Sequence, residues 1–297
     1  MAANAPSTSV QEFISRDTWK NHSYGMSGPG SPHAHPTKAS PMATARHQLE
    51  LINSVSPFST ATSVLDIACG PGTVYRELFS SNLPLSPTAA LLATDISAPM
   101  ISHITARQAE HQPGDEHSWA RVKAWVADAT NLDTVPSDSQ SHVVSQMGIF
   151  LIPDSDAALT EVRRVMRKDG KAVFSMSSVA KAAWNQDIMC MVEELHPERK
   201  MPTMPRKWCD KGLFKEELER NGFKGVRVEE FKMGLGYEDE EKTVEMLWKN
   251  MPFIPQVTRG MSEEEIKHVK AKMVERMKER FPGKEMPGLA LIGVASV

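Results

Sequence analysis

The residues best placed to do chemistry lie in the stretch VLDIACGPGT, residues 64–73, where an apolar run enters a Gly70-Pro71-Gly72 turn and a helical pattern follows. Glycines at such a turn admit positive φ and let the backbone approach a ligand that a Cβ would exclude. A dinucleotide fingerprint needs a third glycine for helix packing, and Tyr75 stands at that position. A phosphate-binding loop needs Gly-Lys followed by Ser or Thr, which is absent here. Asp66 places a carboxylate beside the turn, which disfavours a pyrophosphate and tolerates a cationic ligand. Two further aspartates close apolar runs downstream: Asp95 in LLATDIS, 23 residues beyond Gly72, and Asp128 in VADATNL. Taken singly, each is an ordinary strand-terminal turn residue.

These residues need a scaffold that brings strand ends together, and the chain supplies its pattern. Short apolar runs at 63–68, 91–96, 122–127, 142–147 and 171–176 alternate with helical stretches near 73–81, 98–111 and 156–167. That alternation predicts a parallel sheet covered on both faces, with ligands beyond the carboxyl ends of the strands. Ser97 is an expected helix N-cap, as is Asp154 or Ser155 for the following helix. Beyond 180 the spacing predicts helices near 184–196, 210–221, 240–250 and 262–281, the last opened by Ser262 and Glu265 in capping-box spacing. Strands are expected at 225–232 and 288–296, the second so apolar that it belongs inside the sheet. At the other end, residues 10–20 form a short helix with Val10, Phe13 and Ile14 inward. The Gly/Pro/Ser-rich residues 25–41 read as a loop or mobile lid, and 42–54 as a helix anchored by Leu49, Leu51 and Ile52.

The VLDIACGPGT segment resembles the first motif of the class I S-adenosylmethionine (AdoMet)-dependent methyltransferases, which carry an acidic-x-small-x-Gly-x-Gly pattern after their first strand. The resemblance covers about residues 60–178. It implies an α/β, Rossmann-like fold: a seven-stranded mostly parallel sheet with helices on both faces, an N-terminal lid and a helical insertion before the last strand. It also implies that residues 1–41 are a flexible segment and lid, and that 42–297 form the methyltransferase domain, with helical cap regions at about 180–222 and 238–284. AdoMet is the cofactor it implies, and S-adenosylhomocysteine (SAH) the product. By the same resemblance the cofactor is held by Asp66, Ala68, Gly70 and Gly72, and by Asp95 at the ribose hydroxyls. Ile96 and Met100 pack the adenine, Asp128 and Ala129 meet its amino group, and Gln146 lies at the end of strand four. The DIS-x-x-M and GxFLIPD patterns (95–100 and 148–154) are similar to fungal small-molecule methyltransferases, of the ubiquinone-biosynthesis and gliotoxin S-methyltransferase types.

The implied reaction is an SN2 methyl transfer to a small, largely apolar molecule, a secondary metabolite or quinone-like compound with an oxygen, sulfur, nitrogen or carbon acceptor. Such chemistry needs alignment above all, and a general base only for a protonated, non-acidic nucleophile. No side chain declares itself as that base, so the catalytic residues are unknown from sequence. His22 and Tyr24 lie in the N-terminal segment, where Trp19 and Tyr24 are placed to close the lid. Met147, Trp184 and His196 are the other candidates for the substrate side. The competing functions are a non-methylating cyclisation or rearrangement on the same fold, a protein or RNA methyltransferase, and a regulator that has lost catalysis.

Composition narrows these further. A net charge of −3 without a Lys/Arg block disfavours a nucleic-acid partner, and SQMG after strand four replaces the NPPY-like motif of amino-directed DNA and protein-glutamine enzymes. No apolar run is long enough to span a membrane. Three cysteines without CxxC spacing fit a reduced, cytoplasmic setting and no metal site; His33 and His35 read as solvated loop. The 18 methionines are either adaptable core filler or the wall of a deformable apolar pocket. Oligomeric state is open.

Overall fold

A computed structural model describes residues 8–22, 41–110 and 119–297 of the chain. The expected lid at 25–41 therefore falls almost wholly outside the described residues, as do Tyr24, His33 and His35.

Seven strands form one sheet among these residues: β1 Ser63–Ile67, β2 Ala90–Asp95, β3 Val122–Val126, β4 His142–Ser145, β5 Val173–Ala182, β6 Lys224–Gly236 and β7 Glu285–Ser296. Their order is β3-β2-β1-β4-β5-β7-β6, with β7 antiparallel to both neighbours and the rest parallel. The apolar C-terminal strand is inserted between β5 and β6, which is what its lack of a polar face demands.

Alternation along the central strands builds two cores. Val64, Val144, Val173 and Val294 face one layer, formed by α3 (Pro41–Val55), α4 (Thr73–Ser80) and α5 (Ala98–Glu110). Leu65, Val143, Phe174 and Leu291 face the other, formed by α6 (Ser155–Val165) and the later Arg206–Cys209 and Lys211–Arg220 helices. Both β1 and β4 are buried along their whole length, as strands covered on two faces must be.

A third core lies outside this sandwich. β5, β7 and β6 run on past the shorter strands, and their far ends carry a helical cap. It comprises a π-helical turn Trp184–Met189, α7 (Met191–Leu195), α10 (Glu240–Asn250), α11 (Ile254–Val257) and α12 (Glu263–Arg280), whereas the helices α8 (Arg206–Cys209) and α9 (Lys211–Arg220) belong to the sandwich layer beside α6. Met189, Met191, Met201, Met273, Met277 and Met286 are buried in this core. Ser262 and Glu265 form the expected reciprocal capping box at the head of α12.

Local chemistry explains where the elements differ from expectation. Residues 10–20 are two helices, α1 (Val10–Phe13) and α2 (Arg16–Lys20), because Ser15 leaves helical geometry to cap α2 by accepting from Thr18 N–H. Val10 and Ile14 are buried in the cap core, whereas Phe13 is half-buried. The helix expected over 210–221 starts a residue later, since Asp210 caps it through Gly212 and Leu213 N–H.

Candidate active site

Beyond the carboxyl ends of β1, β2 and β3 the chain turns three times, and each turn is built by its own hydrogen bonds. After β1 the backbone enters the left-handed region at Ala68 (φ 51), Gly70 (φ 53) and Gly72 (φ 84). Gly70 N–H donates to Asp95 Oδ2 at 2.8 Å, and Ser97 N–H donates to Asp95 Oδ1 at 2.9 Å. The carboxylate at the end of β2 thus fixes both its own turn and the glycine turn. Burial pushes the Asp95 carboxyl up, and these N–H donors pull it back down. Each of its oxygens keeps a second acceptor position. Ser97 caps α5, accepting from Met100 N–H at 3.3 Å.

The two glycines have different tasks. A Cβ at Gly70 would meet nothing within 4 Å, so its space is open toward the cavity. A Cβ at Gly72 would lie 2.9 Å from the Trp119 ring. Gly72 is therefore required by packing, and it does not line the cavity. Tyr75, which stands where a dinucleotide fold has its third glycine, is fully buried. Its hydroxyl lies 2.7 Å from Val64 O and accepts Leu92 N–H at 2.9 Å, which ties β1 to β2.

After β3, Asp128 Oδ1 accepts both Thr130 N–H and the Thr130 hydroxyl at 2.8 Å. Its Oδ2 pairs with Arg16 of α2. After β4, Met147 sits at φ 54, a conformation that costs a non-glycine residue energy and is concentrated at functional sites. Gly148 follows because a Cβ there would lie 2.7 Å from Ala68 Cβ: the loops after β1 and β4 touch.

These turns form one end of a cavity of about 990 Å³. Ala68, Gly70, Asp95, Ile96 and Met100 line it, and so do Asp128, Ala129 and Gln146. Its other end is walled by the cap, where Trp19, Met147 and Trp184 join Met201, Met204, Met233, Met246 and Met251. The methionines of the chain therefore serve both as core filler and as pocket wall. Three expected site residues stand elsewhere. Asp66 is fully buried behind the turn, its carboxylate oxygens have no hydrogen-bond partner, and burial together with the nearby Asp95 holds it well above the usual range. Gly72 packs under Trp119, and His196 lies outside the cavity beside Glu198.

Residues 10–22 line the cavity and reach the turns by contacts the sequence did not disclose. Besides Arg16 on Asp128, the Ser97 hydroxyl donates to His22 O at 2.7 Å, and Gln11 Nε2 donates to Ile152 O at 2.7 Å. His22 lines the cavity, its ring edge-on to Trp19 at 5.4 Å, and burial holds its imidazole below the ordinary value. Among the described residues no group of His, Cys, Asp and Glu is placed to hold a metal ion, and no helix is long and apolar enough to cross a membrane.

The wall fits AdoMet. It offers a carboxylate with spare acceptor positions at the end of β2, apolar Ile96 and Met100 beside it, a backbone opening at Gly70, and a second carboxylate at Asp128.

Comparison with known proteins agrees. Residues 64–170 match the methyltransferase domain family. Methyltransferase ucsB of an Acremonium species is 25% identical over 249 residues, which is 82% of this chain and 85% of that protein. The ubiquinone/menaquinone biosynthesis C-methyltransferase UbiE of Rickettsia bellii is 29% identical over 126 residues, 42% of this chain and 48% of its own length. The YcgJ protein of Bacillus subtilis shares the fold, with a TM-score of 0.50 at 16% identity over 84% of this chain and 98% of that one. With the glycine turn, the strand-end aspartates and the sheet order in place, these matches show a methyltransferase domain over residues 64–170 and a chain that resembles the class I AdoMet-dependent methyltransferases, fungal members among them.

Proposed function

We propose that the protein methylates a small, largely apolar molecule by SN2 displacement. One observation carries this reading: a single cavity runs from the glycine turn and Asp95 to a chamber of methionine and tryptophan side chains under the cap. Bound AdoMet supplies a methyl group made electrophilic by a cationic sulfur. Asp95 and Asp128 hold its nucleoside part through charge-assisted hydrogen bonds, and Ile96 and Met100 pack beside it. The cap excludes water and confines the acceptor, which is the alignment such a displacement depends on. Methionine walls adapt to irregular apolar shapes.

An acceptor that carries a proton and is not acidic needs a base. The His22 imidazole is that base in our reading, because it lies on the cavity wall and burial keeps it neutral near pH 7. Incubation with methyl-labelled AdoMet and a panel of phenol, thiol, amine and quinone acceptors tests the proposal. Label in a small-molecule product, with one equivalent of SAH, is the expected result. Conversion of an acceptor without SAH points instead to a rearrangement on the same scaffold, and label only in protein or RNA overturns the small-molecule reading.

A further inference from the structure

The turn after β1 holds an uncommon backbone path, with Ala68, Gly70 and Gly72 all in the left-handed region. Ala68, as a non-glycine residue, keeps that conformation only where the surrounding structure holds it. On the side of β2 the holds are Gly70 N–H on Asp95 Oδ2 at 2.8 Å and Cys69 N–H on Thr94 O at 3.0 Å. A further hold comes from behind. Arg107, in the last turn of α5, donates from Nη1 to Pro71 O at 2.8 Å. Pro71 lines the cavity, and Arg107 does not.

The guanidinium is itself fixed in place. It lies over the Trp119 ring, 5.0 Å from the centroid, and this is the ring that leaves no room for a Cβ at Gly72. Trp119 is buried, edge-on to Phe79 at 5.4 Å and to Tyr75 at 6.5 Å. The same 3-10 turn, Trp119–Arg121, is pinned by Arg121 Nη2 donating to Ser86, Pro87 and Ala89 carbonyls. Arg107 therefore joins two residues of the glycine turn: Pro71 through its carbonyl, and Gly72 through the indole between them. A planar guanidinium can stack on a ring and donate within its own plane at once, which a compact ammonium does less well.

We propose that Arg107 is a positioning residue for the cofactor, holding the glycine turn from behind so that Gly70 N–H stays on Asp95 and the backbone stays where AdoMet approaches it. The inference rests on AdoMet being the molecule at this turn. If the turn drifts, Asp95 loses one of the two N–H donors that aim its carboxylate, and the ligand must order the turn at the expense of its own affinity.

Calorimetric titration of the full chain with SAH tests it. The variants are Arg107→Met, which keeps an unbranched stem, and Arg107→Lys, which keeps the charge; each is also made in an Asp95→Ala background. Chemical denaturation of every variant is run alongside. Arg107→Met is expected to weaken SAH binding about tenfold and Arg107→Lys about fourfold, as loss or weakening of a charge-assisted hydrogen bond requires. In the Asp95→Ala background both losses are expected to fall below about twofold, because groups that act through a shared contact are not additive. A merely structural arginine lowers the denaturation midpoint and leaves the SAH affinity of the folded chain unchanged, and that result overturns the inference. Losses of equal fold in both Asp95 backgrounds overturn it as well. Should Arg107→Met fail to fold, Arg107→Lys carries the same comparison. A wild-type chain that binds no SAH contradicts the cofactor reading and this inference with it, whereas SAH binding indifferent to residue 107 overturns this inference alone.

Discussion

The two ends of the cavity are made of different materials. The end at β1, β2 and β3 is built from backbone geometry and short carboxylates: Gly70 at positive φ, and Asp95 bridging two turns. The end under the cap is built from long, flexible apolar side chains such as Met246, Met251 and Trp184. At the first end few residue types satisfy the geometry. At the second, many combinations of apolar residues fill the same volume at little cost. A rigid end thus adjoins a deformable one, which suits the proposed pairing of a constant cofactor with a variable acceptor.

The sharpest way to break this contrast is to alter the rigid end. Gly72→Ala puts a Cβ 2.9 Å from the Trp119 ring at φ 84, and is expected to lower folding stability by about 2–4 kcal/mol through left-handed strain and overpacking. Chemical denaturation measures it. Gly70→Ala meets no neighbour within 4 Å but carries left-handed strain at φ 53, so it is expected to cost about 1–2 kcal/mol of stability, less than Gly72→Ala, and to weaken AdoMet binding more than Gly72→Ala does. The reverse ranking of the two variants would show that the glycines had been assigned the wrong tasks.

Next in size, Asp95→Ala is expected to weaken AdoMet binding by about 1–3 kcal/mol, through lost charge-assisted hydrogen bonds and a loosened glycine turn. Unchanged affinity in calorimetry removes Asp95 from the ribose role.

A smaller effect belongs to the acceptor end. Burial lowers the His22 pKa, so the imidazole stays neutral as pH falls through the ordinary histidine range and takes up its proton only below it. With a protonated acceptor, the turnover rate is expected to stay flat from pH 8 down past neutrality and to fall at more acid pH. His22→Gln is expected to lower the plateau and remove that acid limb. An acid limb unchanged in the variant would exclude His22 as the base. Protonation is disfavoured in the folded state, so stability also declines as pH drops below the unfolded-state value.

Smallest of all is the Arg16 contact. Its side chain is 60% exposed, and exposed pairs contribute only about 0–1 kcal/mol. Arg16→Gln is expected to leave stability unchanged and to speed AdoMet association in stopped-flow measurements, because the strap across Asp128 opens more readily. A slower association would show that Arg16 helps to bind the cofactor.

The same contrast explains what the sequence disclosed. The glycine turn, Asp95 and Asp128 are legible because strand ends restrict which residues can stand there, and the sheet is legible because alternating apolar runs leave few topologies. The buried C-terminal strand follows from its lack of a polar face. Asp66 is buried behind the turn, which its motif position does not disclose, since that position says nothing about whether a carboxylate faces the ligand or the core. Arg16 carries no local signal: it matters through its contact with Asp128, remote in the chain. Gly148 carries no local signal either: the neighbour that requires it, Ala68, lies 80 positions earlier.

The most direct test of the shared cavity is a crystal structure of the protein grown with SAH. Density for the nucleoside against Asp95, beside Ile96 and Met100 and with its sulfur end toward Met147 and Trp184, is the predicted result. SAH bound elsewhere, or no density in this crevice at saturating SAH, would contradict it.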